Sequence, residues 1–189
     1  MDISWIIALF VILSYTIAAR AILNNKYHPS VYSRFIWLLL AINNFTSVFV
    51  LKSDNTIILL AGLVFLGSLV ILLLSLRKIK RKFDKTELIS TALLILSLAV
   101  WIFTTLPLLN LIIGLVAHFI GGVPTYKKVL KNPKDEYVLF WLFFSIAALL
   151  TFLNTDKTRI SDYLYPLYFV LFDGSVVLLC LRRFRNLKS

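Results

Sequence analysis

The order of apolar and polar residues divides the chain into seven apolar segments separated by short polar stretches. Each segment is close to the ~20 residues that a helix needs to cross a bilayer. The apolar runs are continuous rather than alternating, so they predict membrane-spanning helices and not barrel strands. The segments lie at approximately 3–22, 33–51, 56–76, 87–105, 107–126, 137–153 and 163–181.

The distribution of Lys and Arg along the chain predicts how these segments are oriented in the membrane. The 189 residues are 60% hydrophobic and carry a net charge of +11. The loops after the first, third and fifth segments, together with the C-terminal tail, hold 17 of the 20 Lys and Arg residues. Cytoplasmic loops carry such an excess, so we expect the N-terminus outside, the C-terminus in the cytoplasm and no nucleic-acid partner. The start "MDISWIIALF" has no basic region before its apolar run, which predicts a retained first helix and not a cleaved signal peptide.

The chain also matches itself. A shift of 104 residues pairs Pro29 with Pro133 and Trp37 with Trp141. Each of these tryptophans follows its proline by eight residues. Because the chain has only four Trp and five Pro, coincidence of both at one shift indicates a duplication.

When the shift is increased by three residues, "GSLVILL" (67–73) aligns with "GSVVLLC" (174–180). Segments one to three therefore match segments five to seven, and the fourth segment is a linker. An odd linker helix gives both triplets the same orientation in the membrane, which is a parallel repeat. The predicted units are a first repeat at 1–82, a linker helix at 83–105 and a second repeat with a basic tail at 106–189.

One stretch carries a family resemblance. "VAHFIGGVPTYKKVLKNPKDEYVLFWL" (116–142) has a proline at a cytoplasmic helix end, a short basic loop and an aromatic start to the next helix. It resembles the PQ-loop and SWEET-type membrane transporters, nearest to small prokaryotic members. Thr125 stands where the family has Gln, and in the first repeat Arg20 stands where the proline would be. Over nearly the whole chain, the resemblance implies an all-α 3+1+3 fold of seven transmembrane helices in a prokaryotic plasma or inner membrane.

Polar residues in the middle of apolar segments are candidate site residues, because such groups are costly in a membrane. Several fall at similar depth on separate segments, and we predict that they bind a small polar solute. These substrate-binding candidates are Asp173, His118, Asn43, Asn44, Ser14 and Ser145. The alternative is structural: Asp173 either forms a buried pair with His118 or hydrogen-bonds the backbone, and the asparagines hold helices together.

Two of these residues are also candidates for proton coupling. The charged form of a buried carboxyl is costly, so Asp173 can bind a cation or take up a proton. His118 is of the one side-chain type whose charge changes near neutral pH. "LFDGS" (171–175) resembles the last helix of the cystine-transporting branch of the PQ-loop class, and this resemblance implies a proton-coupling role for Asp173.

Gate candidates lie near the cytoplasmic helix ends. Pro124 either ends its helix or, together with Gly121 and Gly122, forms a hinge. Trp37 and Trp141 either anchor their helices at the membrane interface or line an inner gate.

The basic run "RKIKRKFDK" (77–85) either binds anionic lipid headgroups or only sets the topology. The sequence contains no recognisable catalytic or metal-binding motif, so we expect no enzyme activity, cofactor or metal. The predicted function is alternating-access transport of a small polar solute such as a sugar or amino acid, with proton coupling and homo-oligomerisation left open. The alternative is a non-transporting seven-helix receptor or assembly factor that binds a peptide or lipid.

Overall fold

The computed structural model describes residues 3–27, 31–76, 85–104, 106–134 and 136–185. Within these ranges the chain forms seven α-helices and no strand, so the prediction of an all-α protein is confirmed. The helices are α1 (Ile3–Leu23), α2 (Val31–Val50), α3 (Asn55–Ser75), α4 (Lys85–Thr104), α5 (Pro107–Lys131), α6 (Val138–Asn154) and α7 (Ile160–Arg185).

Four helices are long and apolar enough to cross a membrane: α1, α3, α5 and the Ile160–Arg182 part of α7. Helices α2, α4 and α6 contain shorter apolar stretches of 10–17 residues. Large apolar side chains also face outward, and Trp5, Phe103 and Leu178 are 73%, 84% and 69% exposed. Apolar helices with an apolar outer surface are compatible with a membrane protein.

The contacts between helices can be followed for two groups, α1–α3 and α5–α7, and for α4 separately. Helix α3 lies against both α1 and α2, and α7 lies against both α5 and α6. Between the groups, α1 packs on α6 and α2 packs on α5. Helix α4 packs mainly on α5 and to a smaller extent on α2.

Small residues allow this close packing. A Cβ atom added at Gly67 of α3 would lie 2.3 Å from the Tyr15 ring of α1, so only glycine fits there. Ala147 and Ala148 of α6 are fully buried in the largest apolar cluster, which draws residues from both groups of helices.

The α2–α3 and α6–α7 loops meet at one end of the molecule. Ser53 Oγ donates a 2.7 Å hydrogen bond to Ser161 Oγ, and the Asp54 backbone N–H donates to Asp162 Oδ1 at 3.1 Å. The second carboxylate oxygen of Asp162 accepts hydrogen bonds from the Arg159 N–H and the Thr158 hydroxyl. Ser53, Ser161 and Asp162 are buried, so this end is closed by polar groups that satisfy one another.

At the opposite end of the molecule, helix α5 ends later than the sequence predicts. Helix α5 continues through Pro124 to Lys131, so the interpretation of Pro124 as the end of its helix is wrong. The extra turn is stabilised because Val129 is fully buried in an apolar cluster with Trp141 and Val176. Lys128 and Lys131 also lie in the last turn, where cations interact favourably with the helix dipole.

Some predicted features lie outside the described residues. These are Pro29, the first-repeat partner of Pro133, and residues 77–84 of the basic run at 77–85.

Candidate functional site

A cavity lies between the two groups of helices. The space not filled by atoms is about 610 Å³, counting its open mouth. Every helix of both groups contributes to its wall, and none of the side chains described for α4 does. The lining residues are Tyr15, Arg34, Trp37, Ala41, Asn44, Val64, Ser68, Ile71, His118, Phe140, Trp141, Phe144, Tyr165, Phe169 and Asp173.

Asp173 contributes a carboxyl group from the middle of α7. The residue is 2% exposed, and its Oδ2 atom has no hydrogen-bond partner among the described residues. The described side chains form no ion pair between Asp173 and His118, and His118 Nδ1 shares a 2.8 Å hydrogen bond with the Tyr168 hydroxyl, so the structure does not contain the structural pair. The one ion pair among the side chains that the structure describes joins Lys128 and Glu136. The Asp173 carboxyl therefore keeps hydrogen-bonding capacity beside the cavity.

His118 lies within an aromatic cluster. Its ring centroid is 5.0 Å from that of Trp37, 5.3 Å from Phe169 and 5.1 Å from Phe172. With one ring nitrogen bonded to Tyr168, the imidazole is held in a fixed orientation at the cavity wall.

The two adjacent asparagines occupy different environments. Asn44 lines the cavity, and its Oδ1 atom has no hydrogen-bond partner in the described structure. Asn43 turns toward α4, where its amide donates to Ser97 Oγ at 3.1 Å. Ser97 bonds Asn110, and Asn110 Nδ2 donates to Ser47 Oγ at 2.7 Å. Asn43 therefore belongs to a buried polar cluster that joins α2, α4 and α5, as the helix-joining alternative proposed.

The two predicted serines lie outside the cavity wall. Ser14 is fully buried and donates a 2.8 Å hydrogen bond to the Phe140 carbonyl, which links α1 to α6. Ser145 packs against Gly174, where an added Cβ would lie 3.4 Å from its hydroxyl. The structure thus brings Asp173, His118 and Asn44 together at the cavity and places Asn43, Ser14 and Ser145 elsewhere.

Both predicted gate tryptophans line the cavity. Trp141 is only 3% exposed, so the interpretation of this residue as an interface anchor is wrong. It is drawn inward because its Nε1–H donates to Glu136 Oε2 at 3.3 Å. The Trp37 Nε1 atom is buried against Gly121, where an added Cβ would lie 3.2 Å away.

The predicted hinge residues lie behind the cavity wall. Gly122 allows close approach of the Phe172 ring, which would be 2.4 Å from an added Cβ. Pro124 lies inside α5, one turn beyond Ile120, and removes one helical hydrogen bond at that point. The hinge role of Pro124, Gly121 and Gly122 stays a prediction.

A second, smaller cavity lies toward the α1–α2 and α5–α6 loops, and its space not filled by atoms is about 300 Å³, counting its open mouth. It shares Arg34, Ile71 and Phe140 with the first cavity. Glu136 lines it while paired with Lys128 Nζ at 2.9 Å.

Tyr27 also lines this second cavity and accepts a hydrogen bond from the Arg34 guanidinium. Burial raises the pKa of the Tyr27 phenol to about 12, against the opposing effect of Arg34, so the hydroxyl is neutral at physiological pH.

Sequence reasoning missed four polar residues of the first cavity, which are Arg34, Tyr15, Ser68 and Tyr165. Arg34 counts toward the cytoplasmic charge excess in the sequence, but the structure places it within α2 at the cavity wall. Tyr15 and Ser68 share a 3.4 Å hydrogen bond between α1 and α3. Ser68 belongs to the duplicated Gly-Ser pair, and that repeat was a signal that could have identified it.

Comparison of the chain with protein-family models, curated proteins and solved structures found no match. Within the described residues, no three His, Cys, Asp or Glu side chains are grouped so that they could hold a metal ion.

Proposed function

We propose that the protein is a membrane transporter that moves a small polar solute by alternating access between the α1–α3 and α5–α7 bundles. The observation that carries this proposal is the cavity between the bundles, lined by six helices and by the buried carboxyl of Asp173. Transporters built from repeats hold substrate at such an interface, near the middle of the membrane. A buried polar atom without a partner in that wall is the kind of group that a solute or proton satisfies.

The packing of the helices supports a duplicated 3+1+3 arrangement. If α1, α2 and α3 correspond to α5, α6 and α7, the α1–α6 contact corresponds to the α5–α2 contact. Both of these contacts are extensive. In each triplet the third helix touches the other two. Ser53 and Asp54 of the α2–α3 loop hydrogen-bond Ser161 and Asp162 in the first turn of α7, so the two triplets also meet at this end. In this proposal α4 is the linker and all seven helices cross the membrane.

The direction of opening follows from the two ends. The contact of Ser53 and Asp54 with Ser161 and Asp162 closes one end. The second cavity lies at the other end, beside the basic α1–α2 and α5–α6 loops. With the positive-inside orientation, the proposed cytoplasmic side is the more open one. The protein then sits in a plasma or inner membrane, with its basic loops near anionic lipid headgroups.

Reconstitution into proteoliposomes tests the proposal. A thermal-shift screen of sugars, amino acids and organic acids identifies a solute, because a ligand that binds the folded state raises its stability. Uptake of that solute is then measured with and without an imposed pH gradient. We expect wild-type uptake to exceed that of empty liposomes and Asp173→Asn to abolish the pH-driven part, because the amide cannot carry the proton.

Asp156→Asn is the matched control, since Asp156 is exposed in the α6–α7 loop and lies outside the cavity. This variant should transport like the wild type. Undiminished pH-driven uptake by Asp173→Asn would remove Asp173 from the coupling mechanism. No flux of any stabilising solute would contradict transport and favour the receptor or assembly-factor alternative, which crosslinking to a protein partner would then identify.

A further inference from the structure

Arg34 lies where the two cavities meet. Its side chain lines both of them, and among the residues that the structure describes it is the one Lys or Arg in either wall. Arg34 therefore lies at the end of the first cavity that is nearer to the proposed cytoplasmic side.

Two aromatic rings lie close to the guanidinium of Arg34. The Arg34 Cζ atom is 4.9 Å from the centroid of the Trp37 ring and 5.5 Å from that of Tyr27. Contacts between a cation and an aromatic ring do not use up the N–H donors of a guanidinium, which lie in its plane and point outward. One guanidinium nitrogen donates to the Tyr27 hydroxyl, and the described residues supply no acceptor to the others.

Neither carboxylate of the cavity walls neutralises Arg34. Glu136 lines the second cavity, but its two oxygens bind Lys128 and the Trp141 indole. Asp173 lines the first cavity and forms no ion pair with Arg34. A planar guanidinium with in-plane donors matches a carboxylate in a two-point hydrogen-bonded pair, the strongest common pairing of this side chain.

We propose that the solute is a small monocarboxylate and that Arg34 binds its carboxylate. The inference rests on the proposed function in that it assigns the substrate class of the same cavity. A single guanidinium matches one negative charge, and the aromatic wall formed by Trp37, Phe140, Trp141 and Phe144 suits a small, largely apolar body. Inorganic phosphate carries more charge and more acceptors than one arginine satisfies, so it is the disfavoured oxyanion.

Matched acids and amides test the inference on purified protein in detergent. The probes are acetate, lactate and benzoate, each against its amide at equal ionic strength, with inorganic phosphate as a further probe. Binding is measured as the rise in melting temperature with ligand concentration. We expect at least one acid to stabilise the protein and its amide to have no effect, because the amide lacks the charge that pairs with Arg34.

Variants assign the effect to Arg34. Loss of charge-assisted hydrogen bonds in Arg34→Gln should weaken binding of that acid by about 10- to 100-fold. Arg34→Lys keeps the charge without the planar fork and should bind with intermediate affinity. Arg20→Gln makes the same charge change at an exposed position outside both cavities and should bind like the wild type.

Four outcomes would overturn the inference: no acid stabilises the protein, an amide stabilises it as well as its acid, phosphate alone binds, or Arg34→Gln binds the acid with wild-type affinity. If Arg34→Gln does not fold, binding of the acid by Arg34→Lys with wild-type affinity would overturn the inference instead. Flux assays separate this inference from the transport proposal. Acid binding without flux contradicts transport alone, and flux of neutral solutes unchanged by Arg34→Gln contradicts the carboxylate alone.

Discussion

Replacement of Gly114 by alanine tests the closest approach between α2 and α5, one of the two main contacts between the bundles. A Cβ atom at position 114 would lie 2.4 Å from Asn44 Oδ1 and 2.7 Å from Asn43 Nδ2. Both distances are well inside van der Waals contact, so one or both asparagines must move. Gly62 of α3 is a matched control, because its added Cβ would lie 3.4 Å from the Phe45 ring, an ordinary contact.

Both substitutions replace glycine by alanine inside a helix, so both gain the same free energy from helix propensity. Alanine is favoured over glycine inside a helix by about 1 kcal/mol. At position 62 this gain is retained, so Gly62→Ala should stabilise the protein by up to about 1 kcal/mol. At position 114 overpacking costs about 1–3 kcal/mol, which offsets or exceeds the gain. The free energy of unfolding should therefore differ by about 1–3 kcal/mol between the two variants.

Thermal unfolding in mild detergent, followed by tryptophan fluorescence, measures this difference. For a chain of this length, each kcal/mol corresponds to about 2–4 °C in melting temperature. We expect Gly62→Ala to melt at or above the wild type and Gly114→Ala to melt below Gly62→Ala. Equal stabilisation by both substitutions would refute the close α2–α5 approach and, with it, the placement of Asn43 and Asn44.

Two further predictions concern the closed end and the buried polar cluster. Asp162→Asn removes a charged acceptor of three hydrogen bonds and should lower the free energy of unfolding by about 1–3 kcal/mol. The control is Asp156→Asn at an exposed position, which should change the free energy of unfolding by no more than about 0.5 kcal/mol in the same melting assay. Equal effects would contradict the loop contact. Ser97→Ala should cost about 1–3 kcal/mol, because Asn43 and Asn110 each lose a partner, yet solute affinity by thermal shift should not change, since Ser97 lies outside the cavity. Loss of affinity would show that the cluster and the cavity are coupled.

The helices could be predicted from the sequence because their signal is local. Each apolar run must bury or shield its backbone polar groups, and a helix does so within one segment. The exception was the end of α5, where a proline and a basic stretch suggested a loop. Burial of Val129 against residues of α6 and α7 keeps that turn helical, and this contact is invisible to a pattern confined to one segment.

The site could be predicted only in part. Depth along a segment identified Asp173, His118 and Asn44, because ionisable and amide groups are rare in the middle of apolar helices. Depth does not reveal which side of a helix a residue occupies. Adjacent Asn43 and Asn44 therefore looked alike, although one faces α4 and the other faces the cavity.

The sequence by itself determined the all-helical character of this protein, the number and approximate limits of its helices and the distribution of its basic residues. These properties depend on composition and periodicity along short stretches. Only the tertiary structure decided which polar residues share a cavity, that Asp173 and His118 do not pair, and that Arg34 belongs to the wall rather than to a basic loop. The physical reason is that packing angles and close approaches between helices distant in sequence set these neighbours, and no single segment encodes them.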